Sequence, residues 1–556
     1  MKNSTSTNGI TRQDFAKSVG LAAIGAAVPN LALANARTAA DREHALDHVV
    51  VIMFENRSFD NVLGRLYQVG EVQSFEGVLG NELCNPIPEW AEHGANRKVV
   101  PYGFATNMNT PRPDPGEEYP HINTDLFGVQ DPKNRFVSLS KMVAPYNAPN
   151  GASQQPTMDG FVADYISAFT AENGRQPTYE EYAQIMAGYT PEQLPVMSTL
   201  ARDFATFDHW FSEVPSQTFP NRSFFHAATS SGYVINYPPA NAFPVHNTAE
   251  TLFERLEGKG FTWRVYCDTP SPASMTGIIH AARLRNRFRT NFFAVEDFLE
   301  DAKDGRLPTY SFIEPNLWHG HNDMHPPVSA LLHGLPFDPP SSLLGGEALL
   351  ARVYNAIRTS SSSHGSNYLN TLLLVVFDEA GGTYDHVAPP AAQPPNGSPS
   401  RGQMGFTFNR LGQRTPAIAI SAWIPERTVV NEEYRHTSLI RTIRDQWSLG
   451  TPLSGRDAAA PSIARVLSLA QPRSPDQWPE VSARPVPLFN AALLPPNMPL
   501  SVLGRSMFFA ILEFEKSLGA NVPSIPKDQE MTSAQAEEIM RANAFAVFPG
   551  LQRKNG

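Results

Sequence analysis

A chain of 556 residues with 41% hydrophobic residues can bury a large core, as two domains or as one large α/β domain with insertions. A formal net charge of -10 without a dense Lys/Arg stretch argues against a nucleic-acid partner, because phosphate neutralisation needs clustered basic side chains. The two cysteines, Cys84 and Cys267, exclude a thiolate zinc cluster and a disulfide framework, and leave room for one bridge.

Residues 1–36 read as an export signal: Lys2, Arg12 and Lys17 precede the apolar run Val19 to Val28, and Ala32 to Ala36 offers small-residue cleavage sites. Thr11-Arg12-Gln13-Asp14-Phe15 resembles the twin-arginine export pattern, with Gln13 where the second arginine is expected. The expected location is periplasmic or secreted. No later segment is apolar and long enough to span a bilayer, so contact with a membrane is expected to be transient and at its surface.

From residue 45 onward strand and helix patterns alternate. His48 to Phe54 is a continuous apolar run that ends in Glu55-Asn56, and Leu372 to Phe377 is another that ends in Asp378-Glu379. Such runs read as strands buried on both faces of a parallel sheet, and residues just past them line the ligand crevice of open α/β folds. Between them the pattern predicts helices from Ser58, from Thr190 (capping residue, Pro191, then Gln193), over Ala249 to Glu257 and over Glu347 to Ile357. Further strands are predicted at Phe204 to Trp210, Phe261 to Tyr266, Tyr310 to Ile313 and Ala417 to Ala422, with a helix from Ser438 to Trp447. This order favours right-handed crossovers and a mostly parallel sheet sandwiched by helices. Residues 76–120 and 386–412 read as long loop insertions over the crevice. Residues 37–470 are taken as the catalytic domain and 471–556 as a proline-rich segment with a helical extension, helices being expected near 502–518 and 533–545.

Two further segments carry chemistry. In Ser216 to Arg222, Pro220 fits only the first turn of a helix, which puts Thr218 at a helix N-terminus where N–H groups and the dipole favour an anion. The hydroxyl there can attack phosphorus, or it can merely cap the helix. In Trp318 to Pro327, His319, His321, Asp323 and His325 suggest a metal site by residue type. Met324 between Asp323 and His325 takes the spacing off the metallo-β-lactamase pattern, so these histidines are expected to contact a substrate phosphate or protonate a leaving oxygen. No Gly-x-Ser-x-Gly pattern supports a serine hydrolase.

Taken together, Glu55 to Asp60, Thr218 to Arg222, Asn322 to Pro327 and Asp378 to Val387 resemble the phosphoesterase family of bacterial and plant phospholipases C and acid phosphatase A, over residues 47–450. The resemblance implies an alkaline-phosphatase-like α/β fold and a hydroxyl nucleophile on one divalent metal ion, calcium, magnesium or zinc. It makes Glu55, Asn56, Asp378 and Glu379 metal ligands and Thr218 both ligand and nucleophile. His121, His325 and His386 become acid, base and phosphate contacts, with Asp385 orienting His386, and Asn221, Arg222, His319, His321 and Asp323 lining the substrate site. His121 enters through Asp114 to His121, a segment that resembles the family's loop over the site. Ala380 departs from the Asn or His of many relatives, and the tail does not resemble the paired β-domains of the large bacterial enzymes. The expected activity is phospholipase C cleavage of a phosphodiester through a phosphothreonine. The alternatives are a phosphomonoesterase acting on a small phosphate ester, and a secreted head-group-binding protein without turnover.

Overall fold

The computed structural model describes residues 42–486, apart from 95, 150–154, 238, 269–272, 318–320, 328–341 and 364, then 502–519 and scattered positions up to 551. The export signal, His319 and most of the helix expected near 533–545 lie outside the described residues.

Eight strands among the described residues form one sheet: β1 (His48–Phe54), β2 (Ala205–Phe207), β3 (Trp263–Cys267), β4 (Phe292–Ala294), β5 (Tyr310–Glu314), β6 (Thr371–Phe377), β7 (Ala417–Ile420) and β8 (Thr428–Val430). Their order is β8-β2-β7-β6-β1-β5-β3-β4. Neighbours run parallel except at β7, which is antiparallel to both β6 and β2. The exception has a plain cause. The chain leaves β6 at the crevice end, passes through residues 386–412 without a crossover helix, and re-enters the sheet from that same end. β1 and β6 sit side by side in register, Phe54 opposite Phe377, and apart from His48 every residue in them is buried. Glu55 and Asp378 therefore emerge next to each other.

The helices that matter for the site are α1 (Phe59–Val62), α2 (Tyr119–Phe127), α3 (Phe161–Asn173), α4 (Pro195–Asp203), α5 (Thr218–Ala227), α6 (Leu252–Gly258), α7 (Ser342–Arg358), α8 (Thr437–Gln446) and α9 (Val502–Ser517). α5 packs with α6 and α8, while α7 packs with α4. The helix expected from Thr190 begins instead at Pro195, and residues 191–193 form a turn. Its start is set from outside the local sequence, because the buried Glu347 carboxylate of α7 accepts from the amides of Val196 (2.9 Å) and Met197 (2.6 Å). The strand expected over Phe204 to Trp210 ends at Phe207, and Trp210–Phe211 pairs separately with Tyr434–Arg435.

α9 joins the main core: Phe509 stacks on Tyr237 (5.7 Å between centroids), and Phe514 meets Phe288 (5.8 Å). Cys84 is exposed and Cys267 buried, both free, and the Cys267 thiol donates to Glu314 (3.2 Å). No helix among the described residues is long and apolar enough to cross a membrane.

Candidate active site

Three chain segments meet at the ends of β1 and β6. The Glu55 amide donates to the Asp323 carbonyl (2.7 Å), the Asp378 amide to the Phe54 carbonyl (3.0 Å) and the Arg57 amide to the Glu379 carbonyl (3.1 Å). Asn56 adopts a left-handed backbone (φ 51), which asparagine tolerates better than other side chains. Two glycines let the β6 loop close over it. Gly381 (φ +59) lies where a Cβ would come 2.5 Å from Asn56 Cβ, and Gly382 (φ +64) where one would come 2.4 Å from the Gly116 carbonyl oxygen.

α5 brings in the hydroxyl. Thr218 is its first residue, wholly buried, and the Thr218 hydroxyl donates to Glu55 Oε2 at 3.2 Å. It does not serve as the cap: Gln217 holds that position and makes no side-chain capping bond. Asn236 Oδ1 accepts from the Phe219 amide (2.8 Å) instead. Pro220 occupies the first turn, where its missing N–H costs nothing.

One helical turn on, Arg222 spans two carboxylates, donating through Nη2 to Glu55 (2.5 Å) and through Nε to Asp378 (3.1 Å). Burial alone would depress its pKa, but these neighbours raise it. Burial, and then the neighbouring carboxylates, push Glu55 and Glu379 well above the ordinary carboxyl range.

Asn221 is turned away from this centre. Its Oδ1 accepts from the Glu213 and Val214 amides (both 2.9 Å) and its Nδ2 donates to the carbonyls of Val214, Ser216 and Gln217, so it shapes the turn before α5. A buried glutamate that the sequence reading passed over, Glu117, takes a central place. It accepts from Asn56 Nδ2 and from Gln217 Nε2 (3.0 Å) and lies 3.6 Å from His325 Nε2. In the segment Asp114 to His121 the group that reaches the site is this carboxylate, four residues before the histidine expected there.

The histidines part company. His325 Nδ1 donates to the Pro326 carbonyl (2.6 Å) and Nε2 lies 3.0 Å from Asn56 Nδ2. Burial would lower its pKa, but Glu117, Asp114 and Asp323 outweigh that and push it up to about 10. His121 is clamped by both oxygens of Asp164 on α3 (2.9 Å each), with Glu118 3.8 Å away. Against the effect of burial, these carboxylates hold it at about 9. His321 bonds to Asp323 (2.8 Å), which also accepts from the His325 amide (3.0 Å) and Ser342 (2.6 Å). Although burial works the other way, His321 draws Asp323 down to about 2.

His386 belongs to a separate knot. Its Nδ1 contacts Asp60 Oδ2 (2.6 Å) and its Nε2 contacts Glu76 (3.2 Å). Arg414 closes the knot, donating to Asp60 Oδ1 and Asp385 Oδ1 at 2.8 Å each. Asp60, not Asp385, therefore orients His386. Asp385 spends its other oxygen on the Asp60 amide (3.2 Å).

The profile described as Phosphoesterase family matches residues 46–450. The chain belongs to that family. It is 31% identical over 455 residues to "Non-specific phospholipase C6" of Arabidopsis thaliana, covering 78% of this chain and 75% of that one. It is 26% identical over 507 residues to "Phospholipase C B" of Mycobacterium tuberculosis, covering 83% and 84%. A solved protein of the alkaline phosphatase superfamily from Vibrio parahaemolyticus covers 49% of this chain and 65% of its own, at 11% identity and a TM-score of 0.29, too loose to add to the strand order above. This phosphoesterase is thus a hydrolase acting on phosphoric ester bonds.

The residues present fit a divalent cation. Among the described residues, Asn56 Oδ1 and Glu379 Oε1 are buried oxygens without a hydrogen-bond partner, and the Arg222 Nη1 group beside them is likewise unpaired. Buried polar atoms are normally satisfied, so three orphans around one carboxylate cluster mark a place built for a charged visitor. Two groups bring three ligand atoms within 4.8 Å of one another: Asp114, Glu117 and His325 beside Asn56, and Asp60, Asp385 and His386 in the knot. Arg414 already neutralises the second. The ligand atoms of Glu55, Asp378 and Glu379 are spread more widely, with Arg222 between the first two.

Proposed function

We propose that this phosphoesterase is an exported, metal-dependent phospholipase C that forms a phosphothreonine on Thr218. The observation that carries the proposal is the Thr218 hydroxyl itself, sealed at the start of α5, donating to Glu55 and ringed by carboxylates and orphaned oxygens. Residues 1–36 support export to the periplasm or the medium.

Thr218 Oγ1 attacks phosphorus and passes its proton toward Glu55. The bond to the glycerol oxygen breaks, the head-group phosphate stays on Thr218, and the departing oxygen takes a proton from the imidazolium of His325. The neutral imidazole then takes a proton from the water that attacks the phosphothreonine, the bond to Thr218 Oγ1 breaks as Glu55 returns its proton to that oxygen, and the head-group phosphate leaves. Arg222 Nη1, the orphaned donor, is available to a phosphoryl oxygen. Glu55, Asn56, Asp378 and Glu379 would hold a divalent cation, which would lower the hydroxyl pKa and neutralise phosphoryl charge, and an all-oxygen donor set favours calcium or magnesium over zinc.

The relatives named phospholipase C favour a diester substrate. Charge points the same way: a diester brings one negative charge into a centre where Glu55, Asp378, Glu379 and Glu117 face Arg222, whereas a monoester brings up to two. The test compares para-nitrophenyl-phosphorylcholine with para-nitrophenyl phosphate, with and without chelator, on wild type and Thr218→Ala. Chelator-sensitive, Thr218-dependent turnover of the diester is expected. Preference for the monoester would make the protein an acid phosphatase, and no turnover of either with metal supplied would favour a head-group-binding protein.

A further inference from the structure

A side-chain amide presents nearly identical shapes in its two orientations, so its neighbours decide which end faces a metal. Asn56 is such a case. Its Nδ2 is taken up by Glu117 Oε2 and lies 3.0 Å from His325 Nε2, while its Oδ1 is buried with no partner among the described residues. An ionised carboxylate only accepts, so turning Asn56 over would set two acceptors against each other in a site sealed from water. Glu117 makes this choice, and His325 is turned toward the same carboxylate: its Nδ1 donates to the Pro326 carbonyl (2.6 Å) and its Nε2 lies 3.6 Å from Glu117 Oε2.

The same carboxylate reaches the nucleophile's turn. Glu117 Oε1 accepts from Gln217 Nε2 (3.0 Å), whose Oε1 accepts from the Asn236 amide (3.0 Å), and Gln217 directly precedes Thr218. Asn236 Oδ1 in turn caps the Phe219 amide of α5 (2.8 Å). One side chain from the 76–120 insertion is thereby tied to the end of β1 and the start of α5.

We propose that Glu117 is a positioning residue: it fixes the Asn56 amide with Oδ1 toward the cation pocket and anchors the Gln217 turn that presents Thr218. The inference rests on the reading of Glu55, Asn56, Asp378 and Glu379 as cation ligands. Groups that orient metal ligands typically contribute 10- to 100-fold to metal affinity, and Glu117 is expected to fall in that range.

The experiment is calorimetric titration of metal-stripped, full-length protein with calcium and, separately, magnesium, for wild type, Glu117→Gln, Glu117→Asp, Asn56→Asp and the double variant Glu117→Gln/Asn56→Asp. Circular dichroism of the metal-free proteins checks that each is folded. Glu117→Gln should weaken binding by about 10- to 100-fold, because a glutamine can turn its own amide and release Asn56. Glu117→Asp keeps the acceptor and should lose less, and it gives the answer if Glu117→Gln does not fold.

Asn56→Asp sets two carboxylates against each other and should bind poorly. Adding Glu117→Gln should then restore part of the affinity, since the new amide donates to the new carboxylate. This reversal of sign is a signature that a merely structural glutamate, or one that ligates the cation itself, would not produce. Wild-type affinity in both Glu117 variants, or losses that add in the double variant, would overturn the proposal. Failure of wild type to bind either cation would instead overturn the metal reading, and this inference with it.

Discussion

Two charge clusters are built from the same two sequence motifs, yet they differ in whether their polar atoms are satisfied. The run Glu55 to Asp60 and the run Asp378 to His386 each contribute to both. In the knot, Arg414 and His386 face Asp60 and Asp385, and Arg414 further donates to the carbonyls of Glu76 (2.9 Å) and Asp208 (2.7 Å). None of the knot's side-chain atoms is left orphaned among the described residues. At the Thr218 centre carboxylates outnumber their one arginine, and Asn56, Glu379 and Arg222 each leave an atom unpaired. A buried network that is complete rigidifies a fold, whereas one held incomplete needs a ligand to finish it. That difference separates a closed His-Asp knot from the centre proposed as catalytic, although both lie beside the same strand ends.

The contrast can be broken in four places. Thr218→Ala should reduce diester turnover on the order of 10³-fold or more while unfolding by urea changes by only about 1–2 kcal/mol. Arg414→Ala should do the reverse in kind, costing about 3–5 kcal/mol of stability by leaving Asp60 and Asp385 buried without their cation. Urea denaturation of that variant beside wild type checks this.

Divalent metal should stabilise wild type by about 2.7 kcal/mol at a hundredfold excess over its dissociation constant, read as a rise in melting temperature. Arg414→Ala should keep that response and Asp378→Asn should lose it. If both keep it, the cation does not sit at the β1 and β6 ends.

The smallest expected effect is on pH. Burial disfavours the His386 imidazolium, but Asp60 more than compensates and raises the group from 6.5 to about 9. The folded state therefore binds this proton more tightly than the unfolded chain. Its contribution is full below about 6.5 and is lost as pH rises to about 9. Wild-type melting temperature should fall through that window by a few degrees, and His386→Ala should show a flatter profile there.

Much of this was legible in the chain. The apolar runs His48 to Phe54 and Leu372 to Phe377 announce buried parallel strands, and the acidic residues after them announce a crevice, because strand period and chain direction are local properties. Pro220 places Thr218 at a helix start for an equally local reason. Elsewhere longer-range partners decided. α4 begins where Glu347 caps it and not at the local signal Thr190, and β7 turns antiparallel because its connection stays at one edge of the sheet.

By itself, then, the sequence determined the strand pair, the hydroxyl at a helix N-terminus and the supply of carboxylates. Only the tertiary structure decided the partners: Arg222 between Glu55 and Asp378, Asp60 rather than Asp385 on His386, Asp164 on His121, and Glu117 on Asn56. Those pairings join residues 43 to 326 positions apart. Periodicity and propensity act over a few residues, whereas a buried ion pair depends on which side chains the packed sheet and its crossing loops bring within about 3 Å of one another.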